Sequence, residues 1–133
     1  MKIAAAALLG LVAAGCGGSD GINEPQSVAG TYTLRTVNGA ALPFVAFETA
    51  GYKLEVTGAS YVLAASGTFT NSVSFRETEG GAVTTSTETL TGQYTVSGTT
   101  ITFTDTDGDV ITGSLSGNTL QLSGDGITAV FVR

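Results

Sequence analysis

The feature that most constrains this chain is an alternation of apolar and polar side chains that begins near Val28 and continues to the C-terminus. Tyr32 and Leu34 alternate with threonines and an arginine, and Tyr52 and Leu54 begin a similar run. Successive side chains of a β-strand point to opposite faces, so this period places apolar residues on one face and threonines and serines on the other. The pattern predicts an all-β fold with one face toward a core and one toward water.

Short glycine-containing pairs divide the alternating stretch. These pairs are Asn38-Gly39, Ser66-Gly67, Gly80-Gly81, Ser97-Gly98, Asp107-Gly108, Gly117-Asn118 and Asp125-Gly126. They supply the positive φ of tight hairpin turns, so the strands that they join are antiparallel neighbours. We predict an up-and-down meander of about eight strands that closes into one small barrel, because closure removes exposed edges. The segment Phe44 to Glu48 fits both a short helix and a strand.

A weak internal repeat supports the meander. Residues Tyr94 to Phe103 and Gly113 to Leu122 align at an offset of 19, and the alignment matches Gly98 with Gly117. Each copy has an apolar strand, a glycine turn and a second apolar strand. We therefore predict that each copy is one hairpin.

The first sixteen residues predict where the protein is sent. Lys2 is followed by an apolar run from Ile3 to Ala14, and the only cysteine is Cys16. The run is too short to span ~30 Å of hydrocarbon, so it is typical of a secretory signal. The ending Ala13-Ala14-Gly15-Cys16 resembles the lipobox of bacterial lipoproteins, which implies cleavage before Cys16 and lipidation of that cysteine.

Three regions follow from this pattern. We predict a lipoprotein signal peptide at residues 1–15, the lipidated cysteine and a flexible linker at residues 16–27, and the barrel domain at residues 28–133. Gly17 follows the cysteine, where the known inner-membrane retention signal has aspartate, so we expect an outer-membrane lipoprotein of the cell envelope, facing the periplasm or the surface. The alternative is a soluble secreted protein with a free thiol.

Composition excludes several classes of function. The chain has no histidine, no tryptophan and one cysteine, which excludes Ser-His-Asp and Cys-His catalytic systems, Cys or His zinc sites, and disulfide frameworks. With 5 basic and 11 acidic residues the net charge is −6, and no basic patch suits nucleic acid. We expect a monomeric, non-enzymatic protein that binds no nucleic acid and requires no cofactor.

Several turn-and-strand motifs recur along the barrel region. They are Gly30-Thr31-Tyr32-Thr33-Leu34, Val37-Asn38-Gly39, Gly67-Thr68-Phe69, Gly92-Gln93-Tyr94-Thr95-Val96-Ser97-Gly98 and Gly113-Ser114-Leu115-Ser116-Gly117-Asn118-Thr119-Leu120. In these motifs the chain resembles the bacterial lipocalin-like domain lipoprotein family. The resemblance implies a lipocalin-like barrel in which Tyr32 takes the place of the first-strand aromatic residue and Arg133 packs over its ring.

The resemblance also implies a small apolar ligand inside the barrel. The aromatic residues that we expect to line it are Tyr32, Tyr52, Phe69, Phe75, Tyr94 and Phe103. A barrel of this size can instead be filled by its own side chains, which leaves no space for a ligand. The alternative function is then a structural or protein-interaction module of the cell envelope.

One acidic run has the alternate spacing of calcium ligands. Its carboxylates are Asp105, Asp107 and Asp109, but glycine stands fourth rather than sixth and Ser116 stands where an EF-hand loop has its final glutamate. We interpret the three aspartates as residues of a hairpin turn, with weak cation binding as the alternative.

Two further sets of polar residues are weaker candidates. Glu77 and Glu79 stand beside a Gly-Gly turn, and we expect Glu88 to face them across the hairpin as solvated residues rather than as a catalytic pair. Asn71 shares the parity of inward-facing neighbours. Its amide either points into the barrel, where it could contact a ligand, or is returned to solvent by a bulge.

Overall fold

The computed structural model describes residues 28–133, and this range contains ten β-strands. The strands are β1 (Gly30–Val37), β2 (Ala40–Ala41), β3 (Phe44–Thr49), β4 (Tyr52–Leu63), β5 (Thr68–Glu79), β6 (Ala82–Ser97), β7 (Thr100–Asp105), β8 (Val110–Ser116), β9 (Thr119–Gly124) and β10 (Ile127–Val132). Within that range, no helix has the length and apolar character needed to cross a membrane.

The sheet closes on itself. Its order is β2-β1-β10-β9-β8-β7-β6-β5-β4-β3, and β1 also pairs with β4, through Gly30–Thr33 against Ser60–Leu63. The closed ring therefore consists of β1 and β4 to β10, all antiparallel, while β2 and β3 flank it. This confirms the predicted antiparallel barrel of about eight strands. All eight ring strands and the buried core residues named below belong to residues 28–133.

The predicted hairpins are present. Gly98 and Gly117, which the internal repeat aligns, have φ values of 65° and 62° and stand in the turns β6–β7 and β8–β9. Positive φ costs glycine little, because it has no Cβ. The segment left open between helix and strand is strand β3, because it pairs along β4 from Phe44 to Thr49.

Side chains fill the closed part of the barrel. At its centre the Tyr61 ring lies 4.6 Å from the Phe103 ring and 5.3 Å from the Phe131 ring, measured between centroids. The buried apolar residues are Tyr32, Leu34, Val37, Tyr61, Leu63, Phe69, Tyr94, Ile101, Phe103, Leu115, Leu120 and Phe131. One continuous core therefore joins all parts of the ring.

Three strands are longer than the barrel requires. β4, β5 and β6 have 12, 12 and 16 residues, whereas β1 pairs with β4 only from Ser60 onward and β7 pairs with β6 only from Gly92 onward. Their remaining parts, together with β3, form a sheet that extends from one end of the barrel. We call this sheet the arm; it comprises β3 and residues 52–59, 72–79 and 82–91. Closure has thus not removed every edge, contrary to the sequence-based expectation.

Candidate functional site

The two ends of the barrel differ. At one end, which we call the closed end, buried tyrosines hydrogen-bond to the chain that covers them. The Tyr32 hydroxyl donates to the carbonyl oxygen of Val28 at 2.9 Å, and the Tyr94 hydroxyl donates to that of Ala64 at 2.7 Å. Burial raises the pKa of both phenols. These bonds satisfy the polar ends of rings that otherwise belong to the core.

Arg133 completes the closed end. Its guanidinium carbon lies 5.4 Å from the centroid of the Tyr32 ring, which confirms the expected cation–π contact. The same guanidinium donates to the Asn118 side-chain oxygen at 2.9 Å and to the carbonyl oxygen of Ala29 at 2.9 Å. Arg133 therefore ties the last strand to the first strand and to the β8–β9 turn.

At the opposite, open end two neighbouring strands diverge. β8 pairs with β9 only through Gly113–Ser116, whereas it pairs with β7 from Val110 to Ser114. β9 in turn pairs with β10 along its whole length. The facing edges of residues 110–112 and 123–124 therefore have no strand partner within the described part of the chain. The barrel wall has a notch at this point.

The notch opens into a recess of about 570 Å³, which we call the mouth recess. Its walls are formed by Val110, Ile111, Thr112, Leu122, Ser123, Gly124, Asp125, Ile127 and Ala129. Ile111 pairs with the core residue Phe103, and Leu122 pairs with Ala129, so these side chains continue the inner face of the barrel. The recess is apolar on its inner side and polar at its rim.

The inner face also continues onto the arm. Leu54 and Val56 of β4 share the face of Tyr61, and Phe75 of β5 lies opposite Val56. Leu54, Val56 and Phe75 are half-buried, and Val56 packs against the core. The open end thus presents apolar side chains both in the barrel wall and on the arm, and large apolar surfaces of this kind are typical of binding regions.

Four of the six aromatic residues predicted to line a ligand lie in the filled core: Tyr32, Phe69, Tyr94 and Phe103. The other two, Tyr52 and Phe75, stand on the arm. Tyr52 packs against Phe47 with ring centroids 6.0 Å apart, and its hydrogen bond with Glu77 raises the pKa of its phenol. The structure does not bring the six together around one space, and none of them forms a wall of the mouth recess. Their contact with a ligand stays a prediction.

The acidic run forms a turn. One side-chain oxygen of Asp105 accepts hydrogen bonds from the backbone N–H groups of Asp107 and Asp109, at 2.8 Å and 2.9 Å. Such bonds stabilise a turn without any ion, as the turn interpretation requires. Among residues 28–133 no cluster of three or more His, Cys, Asp or Glu side chains could hold a metal ion.

The remaining polar candidates are separated. Glu88 lies opposite Val73, whereas Glu77 and Glu79 lie opposite Thr84 and Ala82, so the expectation that Glu88 faces the two other carboxylates is wrong. The register that follows from the two-residue Gly80-Gly81 turn pairs Glu88 with Val73, farther from the turn than Glu77 and Glu79.

Asn71 has a structural partner. Its side-chain amide donates to the carbonyl oxygen of Ser60 on the neighbouring strand, at 3.0 Å. The side chain is half-buried, and its hydrogen bond joins β5 to β4. The side-chain amide of Asn71, which the sequence left as a candidate for ligand contact, therefore already has a hydrogen-bond partner in the protein.

Glu55 is a buried carboxylate that the sequence pattern did not predict. Glu55 is 4% exposed and lies on the outer face of the arm, where it accepts a 2.8 Å hydrogen bond from the Arg76 side chain. The Lys53 ammonium lies 3.8 Å away. The Arg76 hydrogen bond lowers the pKa of the Glu55 carboxyl. The alternating charges of Lys53 and Glu55 were visible in the sequence, but the pairing with Arg76 needed the β4–β5 register.

The apolar residues of the mouth recess were also not predicted as a site. Ile111 and Ile127 are 43% and 45% exposed, at the ends of strands that otherwise bury one face. The signal for them was an apolar residue placed where a strand meets an Asp-Gly turn. The divergence of β8 from β9, which makes the space, has no counterpart in the sequence pattern.

The fold and the site define an all-β protein with a closed antiparallel barrel, packed at one end and open at the other. A solved lipocalin-like protein from Bacteroides uniformis is similar, with 18% identity over 80% of this chain and 98% of that chain and a TM-score of 0.46. No family model matches the chain, and no curated protein does. The predicted signal peptide and Cys16 lie outside the described residues.

Proposed function

We propose that this protein is an exported lipoprotein that binds a small apolar molecule at the open end of its barrel. The mouth recess carries the proposal: it has a volume of about 570 Å³, and Ile111, Leu122, Ile127 and Ala129 line its inner side. Sites for small molecules are typically apolar hollows of roughly 300–1,000 Å³ with a few polar groups at defined positions. The ligand therefore contacts the mouth rather than the centre of the barrel.

The rim of the recess supplies polar groups. Backbone groups on the facing edges of β8 and β9 are not used by the ladder between these strands, and Thr112 adds a hydroxyl, whereas the Ser123 hydroxyl already pairs with that of Thr128 at 3.2 Å. A ligand with an apolar body and one polar end satisfies both parts of this surface. We therefore expect an amphiphilic molecule in preference to a pure hydrocarbon.

Anchoring through Cys16 is compatible with this position of the site. Val28, the first described residue, is held at the closed end by the Tyr32 hydroxyl. A tether that precedes Val28 therefore joins the barrel at the end opposite the mouth recess. A lipid on Cys16 would hold the protein at a membrane and leave the open end accessible.

A non-catalytic interaction module is the second candidate. The filled core of aromatic and aliphatic side chains favours it, because the centre of the barrel is occupied. The two candidates differ in what the mouth recess does: a ligand-binding protein needs its apolar lining, and an interaction module with a filled barrel does not.

Binding of the uncharged fluorescent probe N-phenyl-1-naphthylamine tests the proposal. The chain from residue 17 onward, which contains the whole barrel, is titrated as wild type, Ile111→Ser and Val62→Ser. Ile111 and Val62 are both 43% exposed, but Val62 lies on the outer face of the barrel. We expect Ile111→Ser to weaken binding about fivefold or more, since it removes roughly 1 kcal/mol of apolar contact, and Val62→Ser to leave it unchanged. Equal effects of the two substitutions would contradict the proposal.

A further inference from the structure

Within residues 28–133, the arm leaves one long strand edge without a strand partner. β6 pairs with β7 through Gly92–Ser97, and the carbonyl oxygen of Thr91 also accepts from Thr106, so residues 82–90 pair with β5 on one side alone within the described chain. The eight residues from Ala82 to Thr89 are all exposed. Natural proteins usually protect such an edge with lysine, proline or a bulge. This stretch contains no lysine and no proline, and its pairing with β5 has no register shift.

The other edge of the arm is protected. β3 pairs with β4 with a register shift between Val45 and Phe47, and a bulge of this kind bends the edge and disrupts its hydrogen-bonding pattern. The residue composition of β3 is also less uniform, with Glu48 near its end. The β6 edge is therefore the one suited to regular strand addition.

Alternate residues of β6 direct their backbone N–H and carbonyl groups outward, away from β5. The N–H of Thr106 donates to the carbonyl oxygen of Thr91 on the β7 side, and the N–H of Tyr94 donates to that of Gly67 on the β5 side. Alternate residues of an antiparallel strand direct both backbone groups to the same side. The outward residues of the exposed stretch are therefore the odd-numbered ones: Val83, Thr85, Thr87 and Thr89.

These four residues are self-complementary. If two copies of β6 pair antiparallel about a twofold axis at Ser86, Thr85 lies opposite Thr87 and Val83 lies opposite Thr89 of the second copy. Every outward residue then meets an outward residue, which gives about eight backbone hydrogen bonds. A shift of the axis by one residue in either direction leaves some of these groups without a partner in the second copy.

The side chains that this pairing brings together are also compatible with an axis at Ser86. Leu90 meets Ala82 of the second copy, so apolar residues stand opposite each other. The single charge, Glu88, meets Thr84, so the two carboxylates are not opposed. Cross-strand Thr–Thr pairs are favourable, and like charges directly opposite are not. Gly81 of the copy then reaches the level of Thr91, where Thr106 already donates to the Thr91 carbonyl oxygen, so the regular pairing ends at Ala82 of the copy.

We infer that the protein associates with a second copy of itself by antiparallel pairing of the two β6 edges at Ser86. The two arms then form one continuous sheet with one barrel at each end. Twofold pairing of one surface with itself is the commonest form of association between identical chains. This dimer takes the place of the monomer that the sequence suggested, and it does not depend on the proposed ligand.

Cysteine cross-linking tests the register in the full chain. At the axis the two Ser86 side chains face each other with Cβ atoms about 4.5–5.5 Å apart, close enough for a disulfide. Thr84 is on the same face of the same strand, but its copy lies four positions along the strand, roughly 13 Å away. We expect Ser86→Cys, on mild oxidation in cells, to give a covalent product of twice the chain mass. We expect Thr84→Cys and the unsubstituted chain, which contains only Cys16, not to give it.

A second experiment measures association without cross-linking. Thr87→Pro removes one outward N–H, and Thr87→Val keeps it at nearly the same side-chain volume. Sedimentation of the chain from residue 17 onward should show dimers for the wild type and Thr87→Val, and monomers with an unchanged circular dichroism spectrum for Thr87→Pro.

Three results would overturn the inference. They are equal cross-linking of Ser86→Cys and Thr84→Cys, cross-linking of Ser86→Cys only to a different protein, and a monomeric wild type at about 100 µM, well above the micromolar dissociation constants of specific pairs. The cysteine comparison does not require that Thr87→Pro folds.

Discussion

At the scale of single residues, glycine decides how closely the strands approach. Gly92 lies opposite Phe69, with its missing side chain on the inner face of the barrel. A Cβ at this position would lie 2.8 Å from the Phe69 ring and 2.6 Å from the Cα of Asp105, and it would also collide with the carbonyl oxygen of Thr104. The ring occupies the space that any larger residue would need, so the packing of Phe69 depends on Gly92.

We therefore expect Gly92→Ala to lower the free energy of unfolding by roughly 1–3 kcal/mol, the usual cost of overpacking a core. Gly58→Ala is the matched control, because Gly58 is also in a strand and does not have positive φ, and a Cβ there would meet no atom within 4 Å beyond its chain neighbours. Urea unfolding of the chain from residue 17 onward measures both. A Gly92→Ala variant as stable as Gly58→Ala would contradict the close approach.

At the scale of elements, the arm is held together by charge on one face and by apolar contacts on the other. Glu55 and Arg76 are register partners on β4 and β5, and their hydrogen bond of 2.8 Å lies on the outer face. On the inner face Val56 pairs with Phe75. The same two strands thus carry an ion pair and an apolar pair on opposite sides, as a two-residue period allows.

The ion pair predicts how the stability of the arm depends on pH. The pKa of Glu55 is lower in the folded protein than its ordinary value of 4.5. The contribution of Glu55 to the free energy of unfolding is therefore present above pH 4.5 and is lost as pH falls through the folded pKa. We expect the thermal midpoint of the wild type to fall more steeply below pH 4.5 than that of Glu55→Gln. Glu88→Gln, which changes an exposed carboxylate, should follow the wild type; identical profiles for all three would remove the role of Glu55.

The sequence pattern predicts the type of the elements better than their boundaries. The two-residue period of apolar side chains correctly predicted strands, because this period depends only on which side chains must be buried. It left Phe44 to Glu48 undecided, because five residues are too few to separate two periods. It also did not predict the arm: an extension beyond the barrel is defined by where β1 and β7 stop pairing, which involves residues far away in the chain.

At the scale of the whole molecule, Tyr61 joins several strands at the centre of the barrel core. Its ring contacts the rings of Phe69, Phe103 and Phe131, which come from three other strands, and the residue is 4% exposed. Burial raises the pKa of the phenol from 10.0 to about 12. The core therefore favours the neutral phenol over tyrosinate at this position.

This shift predicts a loss of stability in alkali. The contribution of neutral Tyr61 to the free energy of unfolding is fully present below pH 10, where Tyr61 is neutral in both the folded and the unfolded state. It is lost as pH rises toward 12, since Tyr61 ionises first in the unfolded chain. We expect the wild type to lose about 2 kcal/mol more than Tyr61→Phe between pH 9 and pH 11.5. Denaturant unfolding at pH 9 and pH 11.5 measures the difference, and parallel losses in the two proteins would show that Tyr61 is not the group responsible.

The sequence by itself determined most of the secondary structure and the positions of the hairpin turns. These depend on local periodicity and on the conformational freedom of glycine, which short segments carry. Only the tertiary structure decided where the barrel closes, which aromatic residues fill it, where β8 leaves β9 and which part of β6 has no second strand partner within residues 28–133. Each of these depends on the register between strands, and register is set by contacts between residues distant in the chain.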